Sequence, residues 1–185
     1  MKAVLLIVAL LALSACATDQ REPHCAALIG GGEYCLQPTT AIAPFELTQK
    51  VDVRFRQRRE TLIVEVEADA DGIRFAGLTP FGHKLLQVGY DNRQATATLL
   101  PDSRLRPSLV IALLQLARWP SDAVRAGLQA PLTLEERADQ RHIIYHDEAT
   151  LTIDYLGDSP YRRMHLSLPA ADIELDIENL QVSEP

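Results

Sequence analysis

Three cysteines, a few histidines and several carboxylates are the groups in this 185-residue chain whose types and spacing offer chemistry. Cys16 stands directly after the small residues of Leu13-Ser14-Ala15. A thiol in that place suits attachment of a lipid through its sulfur, and once lipidated it cannot act as a nucleophile. Cys25 and Cys35 pair by default as a disulfide in an oxidising compartment. Closing so short a loop is worth on the order of 2–3 kcal/mol in the chain-entropy picture. His24 beside Cys25 brings no third or fourth ligand, so zinc is not expected there. His142 and His146 are four apart, share a face of an extended strand, and have Asp147 and Glu148 nearby. A solvent-facing strand edge and a polar turn explain that group as well as a metal does. Asp154 and Asp158 flank Tyr155-Leu156-Gly157 without the apolar setting that would split their pKa values, and read as a strand surface and a turn. There is no Gly-x-Ser-x-Gly elbow. The expectation is a protein that is not an enzyme and carries no cofactor or metal.

The residues before Cys16 have the order of an export signal. Lys2 supplies a positive charge, and residues 3–13 form an apolar run too short to span a bilayer. Leu13-Ser14-Ala15-Cys16 resembles the bacterial lipobox, which implies cleavage before a lipidated Cys16. Residues 1–15 are therefore expected to be removed. Several acyl chains on Cys16, each buried CH₂ contributing roughly 0.8 kcal/mol, would make release negligible. In the bacterial sorting pattern this resembles, Asp after the cysteine retains a lipoprotein in the inner membrane. Ala17 stands there instead, which implies the periplasmic face of the outer membrane. A formal charge of −7 argues against nucleic acid and against an anionic leaflet as partners.

Residues 16–44 read as a tether, with Pro23, Gly30-Gly31-Gly32, Pro38 and Pro44 and no lasting periodicity. From Phe45 the pattern becomes that of a domain over residues 45–182. Phe45, Leu47, Val51, Val53 and Phe55 alternate with Glu46, Thr48, Lys50, Asp52 and Arg54, the pattern of a strand with one dry face. Leu62, Val64, Val66 and Ala68 continue it, and Asp71-Gly72 reads as a turn. Strands over 73–78, 85–90 and 94–100 follow. Residues 107–119 predict a helix opened by Pro107, apolar almost all round, in which only Ser108, Gln115 and Arg118 are polar. A second helical turn over 121–128 has Ser121 as its expected N-cap. Strands then return over 132–137, 141–146, 151–156, 163–168 and 172–177. About ten antiparallel strands must curl if they form one sheet. The expected fold is mainly β (α+β), a strongly curled antiparallel sheet forming a half-open barrel with a helical lid. A two-sheet sandwich is the competing arrangement.

A family resemblance rests on Ala76-Gly77-Leu78-Thr79-Pro80-Phe81-Gly82, Arg118-Trp119-Pro120, Ala123-Val124-Arg125-Ala126-Gly127-Leu128 before Pro131, and Pro160-Tyr161-Arg162-Arg163-Met164-His165-Leu166. The succession resembles LolB, an outer-membrane lipoprotein that accepts lipoproteins from the soluble carrier LolA. It is closer to uncharacterised LolB-like lipoproteins found beside aryl-polyene and fatty-acid-type gene clusters. The resemblance implies a LolA/LolB-like half-barrel with a greasy cavity, and a soluble periplasmic carrier as partner. It also implies a protruding loop with an apolar tip for membrane delivery, here Phe81. The chain departs from LolB in its long cysteine-bearing tether and in lacking a tryptophan near Asn179.

The expected hydrophobic ligand, a lipid, an acyl chain or the acyl moiety of a lipoprotein cargo, would lie against Val51, Val53, Phe55, Val64, Val66, Phe75, Leu86, Val88, Leu113 and Trp119. Ordinary core packing is the other account of the same residues. Arg54, Arg56, Arg58 and Arg59 read as a wet strand end balanced across the hairpin by Glu60, Glu65 and Glu67, or as a contact for lipid phosphates. An interaction lipoprotein of an envelope assembly, with no ligand cavity, is the alternative function.

Overall fold

The computed structural model describes residues 24–102, 105–157 and 161–183. Cys16, the export signal and Asp158 lie outside them. The alternating segments form β3 (Phe45–Phe55), β4 (Arg58–Asp69), β5 (Gly72–Leu78), β6 (Lys84–Tyr90) and β7 (Ala95–Leu99). After the helices α1 (Pro107–Arg118) and α2 (Ser121–Gly127) come β8 (Thr133–Arg137), β9 (Gln140–Tyr145), β10 (Glu148–Leu156), β11 (Arg163–Leu168) and β12 (Ile173–Ser183). Two further short strands, β1 (Cys25–Ala27) and β2 (Glu33–Cys35), precede them.

One ten-stranded antiparallel sheet results, in the order β7-β6-β5-β4-β3-β12-β11-β10-β9-β8. Every connection inside each half is a hairpin, and the two halves join where β12 pairs with β3. Register puts the apolar positions on one face: Val51 lies between Leu62 and Ile177, Phe75 between Val66 and Val88, and Leu166 between Leu175 and Ile153. The expectation of a large antiparallel sheet with helical elements is met. The expected strong curl into a half-open barrel is not part of what the strand order gives: β7 and β8 are the ends of a linear, open order and do not pair with each other.

Helix α1 lies on the apolar face. Pro107 opens it and Trp119 caps it, as the sequence predicts. Nine of its twelve residues are buried, so it is covered on two sides. The sheet supplies one cover. The other is the segment expected as a tether, which from His24 onward is packed and ordered into β1 and β2. Ala26, Tyr34 and Leu36 are fully buried. Gln115, fully buried on α1, holds this segment by its backbone. Its Oε1 accepts from the Gln37 N–H (2.7 Å) and from the Tyr34 hydroxyl (3.3 Å), and its Nε2 donates to the Gln37 carbonyl (2.7 Å).

The far end of α1 is held by the other half of the sheet. Arg141 on β9 donates to the carbonyls of Leu116 (3.1 Å) and Trp119 (2.8 Å), and the Tyr155 hydroxyl on β10 donates to Ala117 (2.8 Å). These are the carbonyls a helix end leaves without partners. Ser121 is not the N-cap that was expected. It is the first residue of α2, after Pro120, and its hydroxyl donates to Glu136 instead.

Burial raises three phenols: Tyr34 and Tyr155 well above the usual range, and Tyr90 up to about 12. In the unfolded chain these groups ionise near pH 10. The folded chain then holds more protons than the unfolded one above that pH, so stability present below about pH 10 falls as pH rises toward the folded values. Urea midpoints are expected to drop steeply between about pH 9.5 and 11.5. Phenolate absorbance from these three residues should appear together with unfolding and not before it.

Candidate functional site at the loop end of the sheet

Residues 79–83 join β5 to β6. The Thr79 N–H donates to the His83 carbonyl (2.8 Å), the Gly82 N–H to the Thr79 carbonyl (2.9 Å), and the His83 N–H to the Thr79 hydroxyl (3.1 Å). Gly82 has φ of 83°, a left-handed conformation that suits glycine. Closing the loop on itself leaves Phe81 no side chain to pack on, and it is 89% exposed. Large apolar side chains so placed are the informative exceptions on a surface.

The β3–β4 hairpin projects from the same end. Leu78, the last residue of β5, pairs with Ile63, and β4 extends beyond it to Arg58. Phe55 stands near the hairpin tip, 38% exposed, with the Arg56 guanidinium 5.0 Å from its ring centre. Arg54 lies directly opposite Arg59. The balance expected from Glu60, Glu65 and Glu67 is therefore not what the register provides: Glu60 faces Val53, Glu65 faces Thr48 and Glu67 faces Glu46. Arg54 turns to β12 and pairs with Glu174 at 2.5 Å.

The ten residues expected to line a cavity all project from the apolar face or from α1 and its cap, but they differ in burial. Val51, Val64, Val66, Leu86, Val88 and Trp119 are buried in the core. Trp119 is fully enclosed, edge-on to Phe45, and donates its indole N–H to the Pro38 carbonyl (3.4 Å). Val53, Phe75 and Leu113 are half-buried, and Phe55 is exposed. Openness on this face thus grows along β3 toward the hairpin tip, where Val53, Leu62, Leu175 and Ile177 are also half-buried.

A cleft of about 540 Å³ opens on the opposite, polar face, over β3 to β7 and the end of β12. Glu46, Glu65, Glu67, Arg74, Gln87 and Thr96 are among its walls. Arg74 binds Glu67 (2.5 Å) and Asp69 (2.6 Å), and these hydrogen bonds hold both carboxyls below the usual range. The alternation marked these residues as wet, but nothing in it signalled that the wet face is concave.

Cys25 and Cys35 face each other across β1 and β2 and are joined as a disulfide, as expected. His142 and His146 do not share a face. His142 sits on the sheet beside the Thr152 hydroxyl (3.3 Å), while His146 and Asp147 form the turn after β9 with positive φ. Asp154 accepts a hydrogen bond from Gln140 (2.8 Å). Among the described residues no three His, Cys, Asp or Glu side chains converge on a metal position. The polar anchors of α1, Tyr34, Gln115 and Arg141, follow no period or motif in the chain. Gln115 alone gave a signal, as a polar residue within an apolar helix.

The family described as "Protein of unknown function (DUF3261)" matches residues 46–181. No curated protein matches the chain.

Proposed function

We propose, from the premise that the chain belongs to the DUF3261 family of proteins of unknown function, that it is a non-enzymatic lipoprotein anchored through Cys16 to the periplasmic face of the outer membrane. Its task is to bind or pass on a hydrophobic ligand, an acyl chain of a lipid or of a lipoprotein delivered by a soluble carrier. The observation that carries this reading is Phe81, 89% exposed on a loop closed by its own hydrogen bonds. Burying such a ring in hydrocarbon contributes roughly 1.5–3 kcal/mol.

The LolB-like half-barrel belongs to the same proposal, and the span of α1 supports it. A twelve-residue helix is ~18 Å long. It touches β6 and β7 on one side and receives hydrogen bonds from β9 and β10 on the other. In a flat sheet β7 and β9, eight strand spacings apart, would be separated by ~38 Å. A bend that brings the two halves toward one helix reconciles these lengths. The half-buried rim of Val53, Leu62 and Leu175, neighbours by register, is where a hydrocarbon tail would enter.

The second reading, an interaction lipoprotein with a filled interior, is favoured by one observation: Val51, Val64, Val66, Leu86, Val88 and Trp119 are already buried by protein.

Phe81→Glu and Phe81→Leu test the first reading. Transfer of a fluorescent fatty acid from the protein to vesicles is expected to slow at least tenfold for the glutamate variant and to stay near wild type for leucine. Both should melt like the parent, since the position makes no packing contact. Equal transfer by the glutamate variant rules Phe81 out as an insertion residue.

A further inference from the structure

We infer that the end of the sheet bearing Phe81 docks on a leaflet rich in anionic phosphate headgroups, held there by the exposed arginines of the β3–β4 hairpin. This deepens the membrane-contact reading above and rests on it. The net charge of −7 argues the other way only if charge is spread evenly. It is not. At this end Arg54, Arg56, Arg58, Arg59 and Lys84 meet Glu60, Asp172 and Glu174 on the same strand ends and turn, while Asp52, one step further in and felt by Arg59, is already bound by Lys50 (2.8 Å). The far end of the outer face is acidic, with Glu46 opposite Glu67.

Register supplies the second argument. Arg54 directly opposite Arg59 is a cross-strand pair that costs stability unless an anion lies over it. Glu174 engages Arg54, and no carboxylate stands opposite either Arg58 or Arg59 in the hairpin. Arginine's planar fork suits phosphate oxygens. Phe55 lies against Arg56, and the Phe81 loop projects from the same end of the sheet, so one approach places rings in hydrocarbon and guanidinium groups at the headgroups. That pairing of one apolar and one basic signal is what stable surface attachment needs.

The anchor permits this approach. His24 packs beside Tyr90 at the opposite end of the sheet. From that level Phe81 stands eight residues along β5 and its loop, ~27 Å. Eight residues also separate Cys16 from His24, a covalent reach of at most ~28 Å. A lipidated Cys16 can therefore reach the leaflet on which the Phe81 end docks.

The test uses the full chain carrying Phe81→Trp, reconstituted in vesicles whose lipids have brominated acyl chains. Trp119 is fully enclosed, so quenching reports the introduced indole. Strong quenching is expected with phosphatidylglycerol present, with several-fold loss in pure phosphatidylcholine and in high salt. Adding Arg58→Gln and Arg59→Gln should weaken docking about thirtyfold, at roughly tenfold per 1.4 kcal/mol and about 1 kcal/mol per surface cation. Quenching that is equal in both lipids, or unchanged by the two arginine substitutions, overturns the phosphate inference and leaves Phe81 insertion standing. Absence of quenching in every vesicle overturns both. An unchanged circular-dichroism melt shows that the arginine variant is folded.

Discussion

Gln115→Leu is expected to destabilise the protein by about 3 kcal/mol and to release residues 24–44 from α1. The amide occupies a fully enclosed position and serves three partners: the N–H and carbonyl of Gln37 and the Tyr34 hydroxyl. Leucine has similar volume, so packing is kept while three polar groups lose their partner. Each costs ~1–3 kcal/mol if it stays dry, and less where water reaches it, as it can at half-buried Gln37. Urea unfolding gives the magnitude. Limited proteolysis gives the location: new cuts should fall between Leu36 and Phe45, while the sheet stays protected. A variant as stable and as resistant as the parent would mean that the disulfide hairpin is not held to α1 in solution.

Trp119→Ala is expected to cost about 3–5 kcal/mol, the range for removing a fully packed large aromatic side chain. The indole fills the junction between the end of α1, Phe45 and the Pro38 carbonyl. This variant also separates two roles the sequence left open for Trp119. A ligand-lining tryptophan faces vacant space and its loss is mild for the free protein. A packed one leaves a cavity and its loss is severe. Urea midpoints of the ligand-free chain decide between them.

The alternation from Phe45 onward was enough to find the strands, their dry face and the apolar helix, because a half-buried sheet writes its period directly into the chain. The helix bounds at Pro107 and Trp119 were legible for the same reason, since proline at each end marks them. The β1–β2 hairpin was not. Three-residue strands carry no period, and what covers them, Gln115, is 81 residues from Tyr34. The arginine end was half legible. The cluster was visible, but its balance depended on register, and the tight turn at Arg56 and Gln57 sets Arg59, not a glutamate, against Arg54. Phe81 was found through the loop motif around it, whereas its exposure depends on hydrogen bonds that close the loop and that no hydropathy pattern records.

The claim on which the proposal turns is that the apolar face of the sheet, entered past Val53, Leu62 and Leu175, accepts a hydrocarbon tail. Native mass spectrometry of the full chain, extracted gently from membranes and then delipidated and exposed to a palmitate donor, tests it most directly. The account predicts a one-to-one adduct at the mass of a single acyl ligand, lost when Val53→Trp fills the entrance. Bare protein mass throughout, with palmitate in excess, would contradict it and leave the filled interaction scaffold in its place.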